Sequence, residues 1–499
     1  MGSFPLRSGD AIPASGAAAP ASGDAIPVSG DAIPASGAAV STFDTAADTI
    51  AAISTPPAPA GLGVIRLSGP EAAAVADRVF RPARGGTLAA AGGYTAHYGH
   101  VFDAEGDIDE CVATVFLAPH SYTGENVVEL SCHGGVYLLR RALRAALDAG
   151  ARPAEAGEFT RRAFLNGKLD LTGAEAVMSL ISANGRLAAK TALAAREGAV
   201  FRRLSEVKES LLGALAQLAA FVDYPDEDIP ELRPEALAAT LSGAAGTLAD
   251  LLSTFDAGKV LQEGVDTAIV GSPNVGKSTL MNAFTGCDSS IVTEIPGTTR
   301  DVVEETVRLG DVVLRLADTA GIRDTADPVE AIGVQRARRR MEQAALVLAM
   351  FDGSRPLSDE DRAFAAEVAS DTAIAVINKA DKPLLIDKEY IEGVFQHTVI
   401  LSAATGQGLE DLTEEIAQIT GVAALTGDEP ILTGERQRRC ARRSLDALRE
   451  AEAALAGGWT LDAVTVSVDD ALSAILELTG ERATEAVVDE VFARFCVGK

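Results

Sequence analysis

The sequence predicts a chain of α/β and helical domains in which one α/β domain is inserted between two helical segments. Two patterns predict this. Helical periodicity flanks a stretch where strands and helices alternate, and a separate mixed α/β pattern precedes both. The length of 499 residues fits roughly three domains at about 150 residues each. Hydrophobic residues make up 47% and charged residues 23%, a globular balance, and no apolar run approaches the ~18 residues of a membrane span. The net charge of −28 excludes non-specific nucleic-acid binding unless cations are gathered locally. Five scattered cysteines without a CxxC pair suggest neither a disulfide framework nor a zinc site, and fit a reducing cytoplasm.

Residues 1–46 repeat with a period of seven, as in SGDAIPA from Ser8 and again from Ser29. Each unit carries Gly and Pro and very few large apolar residues, so a disordered tail is expected rather than a coiled coil. It has one arginine, Arg7, against several aspartates (Asp10, Asp24, Asp31), unlike an Arg-rich, acid-poor transit peptide, and no apolar core of a signal peptide is expected. Residues 47–164 carry short β-rich runs (Gly63 to Leu67, Cys111 to Leu117, Asn126 to Cys132) between helical stretches. Cys132 and His133, adjacent on such a strand, point to opposite faces and cannot chelate together. Residues 165–261 turn helical, with Ala, Leu and Arg at three- and four-residue spacing from Arg186 to Val222 and from Pro234 to Phe255. Residues 262–421 alternate strand and helix, the pattern of a parallel sheet, and residues 422–499 return to helix.

The inserted domain opens with the apolar strand Val265 to Val270, followed by Gly271-Ser-Pro-Asn-Val-Gly-Lys277-Ser278 and the helical run Thr279 to Phe284. This is GxxxxGKS between a strand and a helix. Backbone N–H groups from Asn274, Val275, Gly276 and the residues up to Thr279 can cradle phosphates. Lys277 can reach the β- and γ-phosphates, and Ser278 can ligate Mg²⁺. Asp318-Thr319-Ala320-Gly321 closes the strand Val312 to Ala317, supplying a carboxylate for Mg²⁺ and a glycine N–H for the γ-phosphate. Asn378-Lys379-Ala380-Asp381 ends the strand Ala373 to Ile377, where Asp381 can accept from guanine N1–H and N2–H₂. Ser402-Ala403, after the strand Thr398 to Leu401, supplies an N–H for guanine O6. Between these motifs, Ile291 to Asp301 has the composition of a switch loop, with Thr299 as a magnesium candidate. Four ordered motifs on strand ends identify a GTP site. The position after Gly321 is Ile322, so the water-orienting glutamine of a Ras-like GTPase is missing and another group must act. Glu330 is a candidate, although residue type alone favours a solvated surface glutamate.

These residues, taken with others, resemble the MnmE (TrmE) tRNA-modification GTPase family from Asp48 to the last residue. The resemblance rests on Asp48 to Pro57, Gly63 to Gly69, Ser121 to Leu130, His133-Gly-Gly135, Gly157 to Asp170, the GTPase motifs and the terminal Phe495-Cys-Val-Gly-Lys499. It implies an N-terminal α/β folate-binding domain that forms a homodimer, a discontinuous helical domain, and an inserted Ras-like P-loop GTPase domain. It also implies an activity. With the flavoprotein MnmG, such proteins add an aminomethyl-type or carboxymethylaminomethyl group to C5 of the tRNA wobble uridine, drawing one carbon from a tetrahydrofolate (5-formyl- or 5,10-methylene-). GTP, Mg²⁺ and K⁺ are the implied cofactors, the potassium ion replacing an arginine finger. By resemblance, the potassium ligands fall on Asn274, Thr293, Ile295 and Thr298, within a nucleotide-contacting segment that includes Glu294, Pro296 and Gly297. The water-orienting acid falls on Glu330, and the folate contacts on Arg66, Glu129, Lys168 and Lys499. Catalysis would then rest on Glu330, Asn274, Lys277 and Thr299. No membrane partner is expected.

Two features stay open. Cys496 reads as a reactive or an inert thiol. The run Arg436, Arg438, Arg439, Arg442, Arg443 reads as a tRNA-phosphate patch or a salt-bridged helix face. The rival function is a ribosome-assembly GTPase without base-modifying activity, although no appended basic domain is visible.

Overall fold

The computed structural model describes residues 48–223, 233–286, 305–316 and 344–499. The repetitive stretch 1–46 therefore lies outside the described residues.

The N-terminal part is a mixed seven-stranded sheet. Its strands are β1 (Ile50–Ile53), β2 (Ala60–Ser68), β3 (Phe80–Pro82), β4 (Thr95–Asp103), β5 (Gly106–Phe116), β6 (Val127–Gly134) and β7 (Arg152–Pro153), in the order β3-β4-β5-β6-β2-β1-β7. The β-rich runs read from sequence fall on β2, β5 and β6, and period-two alternation decides which side chains go inward. Cys111, Ala113 and Val115 of β5 are buried under α1 (Ala72–Val79) and α2 (Val136–Asp148), while Val112 faces out opposite Tyr98. Cys132 is buried and His133 exposed, as strand alternation requires. Next, α3 (Glu158–Leu165) is pinned by a buried ion cluster. Arg162 donates to Asp48 (2.7 Å), Glu158 (3.0 Å) and Glu125 (3.2 Å).

The helical bundle is built from both ends of the helical sequence. Helices α4 (Leu171–Ile181), α5 (Arg186–Arg196), α6 (Ala199–Asp223), α7 (Pro234–Ser253) and α8 (Phe255–Glu263) precede the insertion. The periodicity from Arg186 onward breaks at Gly198, whose φ of +84° ends one helix before the next begins. Leu204, Leu211 and Leu218 of α6 and Leu241 and Leu248 of α7 form one core with residues that return some 200 positions later, such as Leu448 and Ile475. Each such fully buried leucine contributes roughly 1.5–3 kcal/mol. Among the described residues, one helical stretch, Pro234–Glu263, is long and apolar enough to cross a membrane by length and composition; Leu237, Leu241, Leu248 and Leu251 line this core instead.

The inserted sheet contains β8 (Val265–Gly271), β9 (Glu305–Leu309), β10 (Val312–Leu316), β11 (Leu346–Asp352), β12 (Ala373–Asn378) and β13 (His397–Ile400), in the order β13-β12-β11-β8-β10-β9. It is parallel except for its edge, where β9 pairs antiparallel with β10. That hairpin was not expected from the alternating pattern. Leu346, Leu348 and Met350 face α9 (Lys277–Gly286), whereas Val347, Ala349 and Phe351 face α10 (Asp359–Val368) and α11 (Lys388–Val394). After α12 (Leu409–Ile419), the chain leaves the insertion beside the point where it entered. Leu432 N–H donates to Thr254 Oγ1 at 3.3 Å, and a Cβ on Gly258 would lie 2.5 Å from the Leu432 carbonyl. Helices α13 (Glu435–Ala456), α14 (Leu461–Thr479) and α15 (Glu485–Ala493) complete the bundle.

Candidate functional site

β8 ends at Gly271 and α9 begins at Lys277, so the loop between them sits at the carboxyl edge of the parallel strands, where open α/β sheets bind ligands. Gly271, Asn274 and Gly276 have φ values of +151°, +63° and +103°. Such alternation of backbone handedness at a helix N-terminus makes an anion-binding nest. Gly276 must be glycine, since a Cβ there would lie 2.3 Å from Asn378 Nδ2. Lys277 donates from Nζ to the carbonyls of Gly271 (2.8 Å) and Ser272 (2.9 Å), folding its charge across the loop it serves. Ser278 and Thr279 are exposed in the first turn of α9.

Asn378 joins the loop to the base-recognition segments. It is 3% exposed; its Nδ2 donates to the Val275 carbonyl at 2.7 Å and its Oδ1 accepts from Ala403 N–H at 2.9 Å. Beside it, Ser402 Oγ donates to Asp381 Oδ1 at 2.6 Å. That hydrogen bond holds the Asp381 carboxyl below its ordinary range, so it stays an acceptor at neutral pH. Lys379, at φ +70°, donates to the Asn274 carbonyl (3.0 Å) and to Asp352 (2.6 Å). Asp352 was missed by sequence reasoning, and a lone carboxylate ending β11 carries no motif by which to find it. The fold thus gathers Asn274, Val275, Gly276, Lys277, Ser278, Asn378, Lys379, Asp381, Ser402 and Ala403 along one sheet edge. Thr293, Glu294, Ile295, Pro296, Gly297, Thr298, Thr299, Asp318, Thr319, Ala320, Gly321 and Glu330 lie outside the described residues.

A second cluster forms where the chain's last residues meet β1 and β2. Arg66 and Glu129 are directly opposed on β2 and β6, with Nε donating to Oε1 at 2.8 Å. The Arg66 guanidinium also lies over the rings of Tyr122 (5.3 Å) and Phe159 (5.5 Å). The terminal segment docks by an isolated bridge of Val497 to Ala156 and by Ser54 Oγ donating to the Gly498 carbonyl at 3.1 Å. Gly498, at φ +99°, passes so close that a Cβ would lie 2.4 Å from the Ile53 carbonyl. This delivers Lys499 to the pair. Burial, then the nearby Arg66 charge, push its ammonium below the ordinary lysine range, while Glu129 opposes the shift. Lys168 is exposed and donates instead to the Pro119 carbonyl at 3.2 Å, at the start of the loop that carries Tyr122. Cys496 is an exposed free thiol.

The arginine run resolves into separate roles. Arg436 is no surface cation; it grips Glu175 (2.7 Å) and the carbonyls of Glu477 (3.1 Å) and Leu478 (3.0 Å), tying α13 to α4 and α14. Arg443 pairs with Glu477 at 2.5 Å, and Arg438 with Glu435 at 2.6 Å. Arg438, Arg439, Arg442 and Arg443 line an open groove that also carries Glu435, Asp446, Glu450 and Asp470.

A family model described as the MnmE helical domain matches residues 171–496, and one described as the GTP-binding protein TrmE N-terminus matches residues 49–168. The tRNA modification GTPase MnmE of Geobacter sulfurreducens is 43% identical over 456 residues, covering 91% of this chain and 99% of that protein. The chain belongs to the MnmE family of tRNA modification GTPases. Proteins of the same name from Symbiobacterium thermophilum (43% over 456 residues; 91% and 99% covered) and Chloroflexus aurantiacus (42% over 456 residues; 91% and 100% covered) are similarly close. Among solved structures, the G domain of the T. maritima FeoB iron transporter is 26% identical and covers 31% of this chain and 98% of its own. The TM-score is 0.24. Within this MnmE-family chain, the two family-model matches include the phosphate loop and base-recognition segments and also Arg66, Glu129 and Lys168, and they end at residue 496, before Gly498 and Lys499.

Proposed function

We propose that this protein is a potassium-dependent GTP hydrolase that acts in tRNA modification. With a flavoprotein partner of the MnmG type, it would add an aminomethyl- or carboxymethylaminomethyl-type group to C5 of the wobble uridine. The observation that carries the reading is the union of a phosphate nest with an ionised Asp381 on one sheet edge, in a chain 43% identical to a tRNA modification GTPase.

The residues present fit the groups this function needs. Ser278, exposed where α9 begins, offers a hydroxyl to Mg²⁺, and Asn274, exposed at φ +63°, offers an amide oxygen to K⁺. Bound K⁺ supplies positive charge where negative charge develops during phosphoryl transfer. Lys277 exchanges its loop carbonyls for phosphate oxygens, Asp381 selects guanine, and Glu330 and Thr299 complete the reading as water-orienting acid and magnesium ligand. In the second cluster, Glu129 suits the amino donors of a pterin, while Arg66, Lys499 and the more distant Lys168 suit the carboxylates of its glutamate tail. A tetrahydrofolate bound there supplies the one-carbon unit. The outward Tyr98 and Val112 of the N-terminal sheet favour a homodimer through that face. A cytoplasmic site of action accords with this substrate.

Two measurements test the reading. GTP turnover is expected to be faster in K⁺ than in Na⁺, and Asn274→Ala to remove that difference while GDP still binds; equal rates in both salts refute the potassium role. Mass spectrometry of tRNA from a strain lacking the protein is expected to show wobble uridines without the C5 group. Unchanged uridines with a ribosome-assembly defect would instead favour the rival GTPase function.

A further inference from the structure

Asp361 is the third residue of α10, and its carboxylate, 4% exposed, does more than cap a helix. Cap duties account for Ser358, whose N–H and Oγ donate to Asp361 Oδ2 at 3.0 and 2.8 Å while Asp361 N–H donates back to Ser358 Oγ at 3.1 Å. The other oxygen is used differently. Oδ1 accepts from Ser272 Oγ at 3.1 Å, a contact across 89 residues to the second residue of the phosphate loop. Arg355 closes the group, with Nη2 donating to Oδ1 at 3.1 Å and Nη1 lying 2.8 Å from Oδ2. An N3 residue of a capping box ordinarily faces solvent; this one is buried because the loop packs over it.

Resting on the nucleotide-site reading above, we propose that Asp361, acting through Ser272, is a positioning residue that sets the first turn of the phosphate loop. Ser272 is the hinge point of that turn. Its carbonyl receives Lys277 Nζ at 2.9 Å, and the preceding Gly271 lies against β11, where a Cβ would stand 2.5 Å from the Met350 carbonyl. One side of the turn is therefore fixed by strand backbone and the other by the Asp361 carboxylate. Arg355 balances the negative charge behind a loop that must receive phosphates, so Asp361 holds the loop without repelling its ligand. The carboxylate never touches nucleotide in this arrangement; it acts by keeping Ser272, and hence the Lys277 resting place, in register.

The test compares Ser272→Ala, Asp361→Asn, their double variant, Ser272→Thr and Ser358→Ala in the full chain. Fluorescent GDP binding, the KM and kcat of GTP turnover, and Tm are the readouts. Ser272→Ala and Asp361→Asn are each expected to weaken GDP by about 3–10-fold and to raise KM more than they lower kcat. The double variant should be no worse than about the weaker single variant, because both changes cut one link. Ser272→Thr keeps the hydroxyl and should restore affinity, and Ser358→Ala should lower Tm with GDP affinity unchanged. Wild-type GDP affinity in Ser272→Ala overturns the proposal, as does a Ser358→Ala variant that binds GDP as poorly as Ser272→Ala. Should the wild type prefer ATP to GTP, the guanine reading falls, and the same ratios measured with ADP decide the inference.

Discussion

The two candidate sites are assembled over very different distances along the chain. The phosphate nest is local: strand, five-residue loop and helix N-terminus follow one another from β8 to α9, and the base-recognition segments hang from neighbouring strands of the same sheet. The cluster around Arg66 is the opposite. It needs Ser54, Arg66 and Glu129 from one end of the chain and Gly498 and Lys499 from the other, with Ser54 and Gly498 separated by 444 residues. A local site survives as a readable pattern because the loop geometry depends on adjacent residues. A long-range site exists only after the bundle has closed around the insertion, so its residues share no spacing.

The sharpest way to break this comparison is to remove the far end. Deleting Cys496 to Lys499 takes away the Lys499 charge and the Gly498 carbonyl that Ser54 holds. Tetrahydrofolate affinity, measured by calorimetry, is expected to fall by at least about 30-fold, the usual cost of truncating a buried charged partner, while GTP turnover persists. Folate binding at wild-type strength would show that the terminal segment is only a brace. Next in size is Asp381→Asn, which leaves Ser402 in place but turns an acceptor of guanine N1–H into a donor. Competition binding should shift by about 30-fold from GTP toward xanthosine triphosphate. An unchanged preference would place base recognition elsewhere. Asn378→Ala should cost less, about 10-fold in GDP affinity, because it strands the Val275 carbonyl and the Ala403 N–H without touching the ligand itself. If the affinity holds while Tm drops, the strut serves the fold alone.

That ordering also explains what was legible. Short β-rich runs located β2, β5 and β6, and apolar runs located β8, β10 and β12, the last buried along its whole length between helices. The entry and exit of the insertion were visible because helical periodicity stops near Gly264 and resumes near Gly434. The β9–β10 hairpin escaped, because an edge strand that runs Glu-Thr-Val-Arg-Leu looks like any short exposed run until its partner is known. Arg436 was read with its basic neighbours, yet one helical turn decides whether an arginine faces solvent or Glu175, and charge counting does not see that turn. Arg66 and Glu129 carried no local motif and came only through family resemblance; their direct opposition is a product of register between β2 and β6.

The smallest expected effect concerns pH and bears on the long-range site alone. Burial, then the Arg66 and Arg196 charges, lower the Lys499 ammonium below the ordinary lysine range, with Glu129 pulling the other way. A lowered lysine is fully charged at pH values below its shifted value and loses its proton as pH rises through it, so its hold on an anion disappears in that direction. Ligand carboxylates stay ionised throughout, their ordinary values lying near 4. Tetrahydrofolate affinity should therefore fall by a few-fold as pH rises, beginning at a lower pH than an unperturbed lysine would allow. Lys499→Arg keeps its charge over the whole range and should flatten the profile, while any titration of the ligand itself is common to both proteins and cancels in their ratio. A parallel fall in the two proteins would mean that Lys499 does not meet the ligand, and that the terminal segment reaches Arg66 and Glu129 only to brace them.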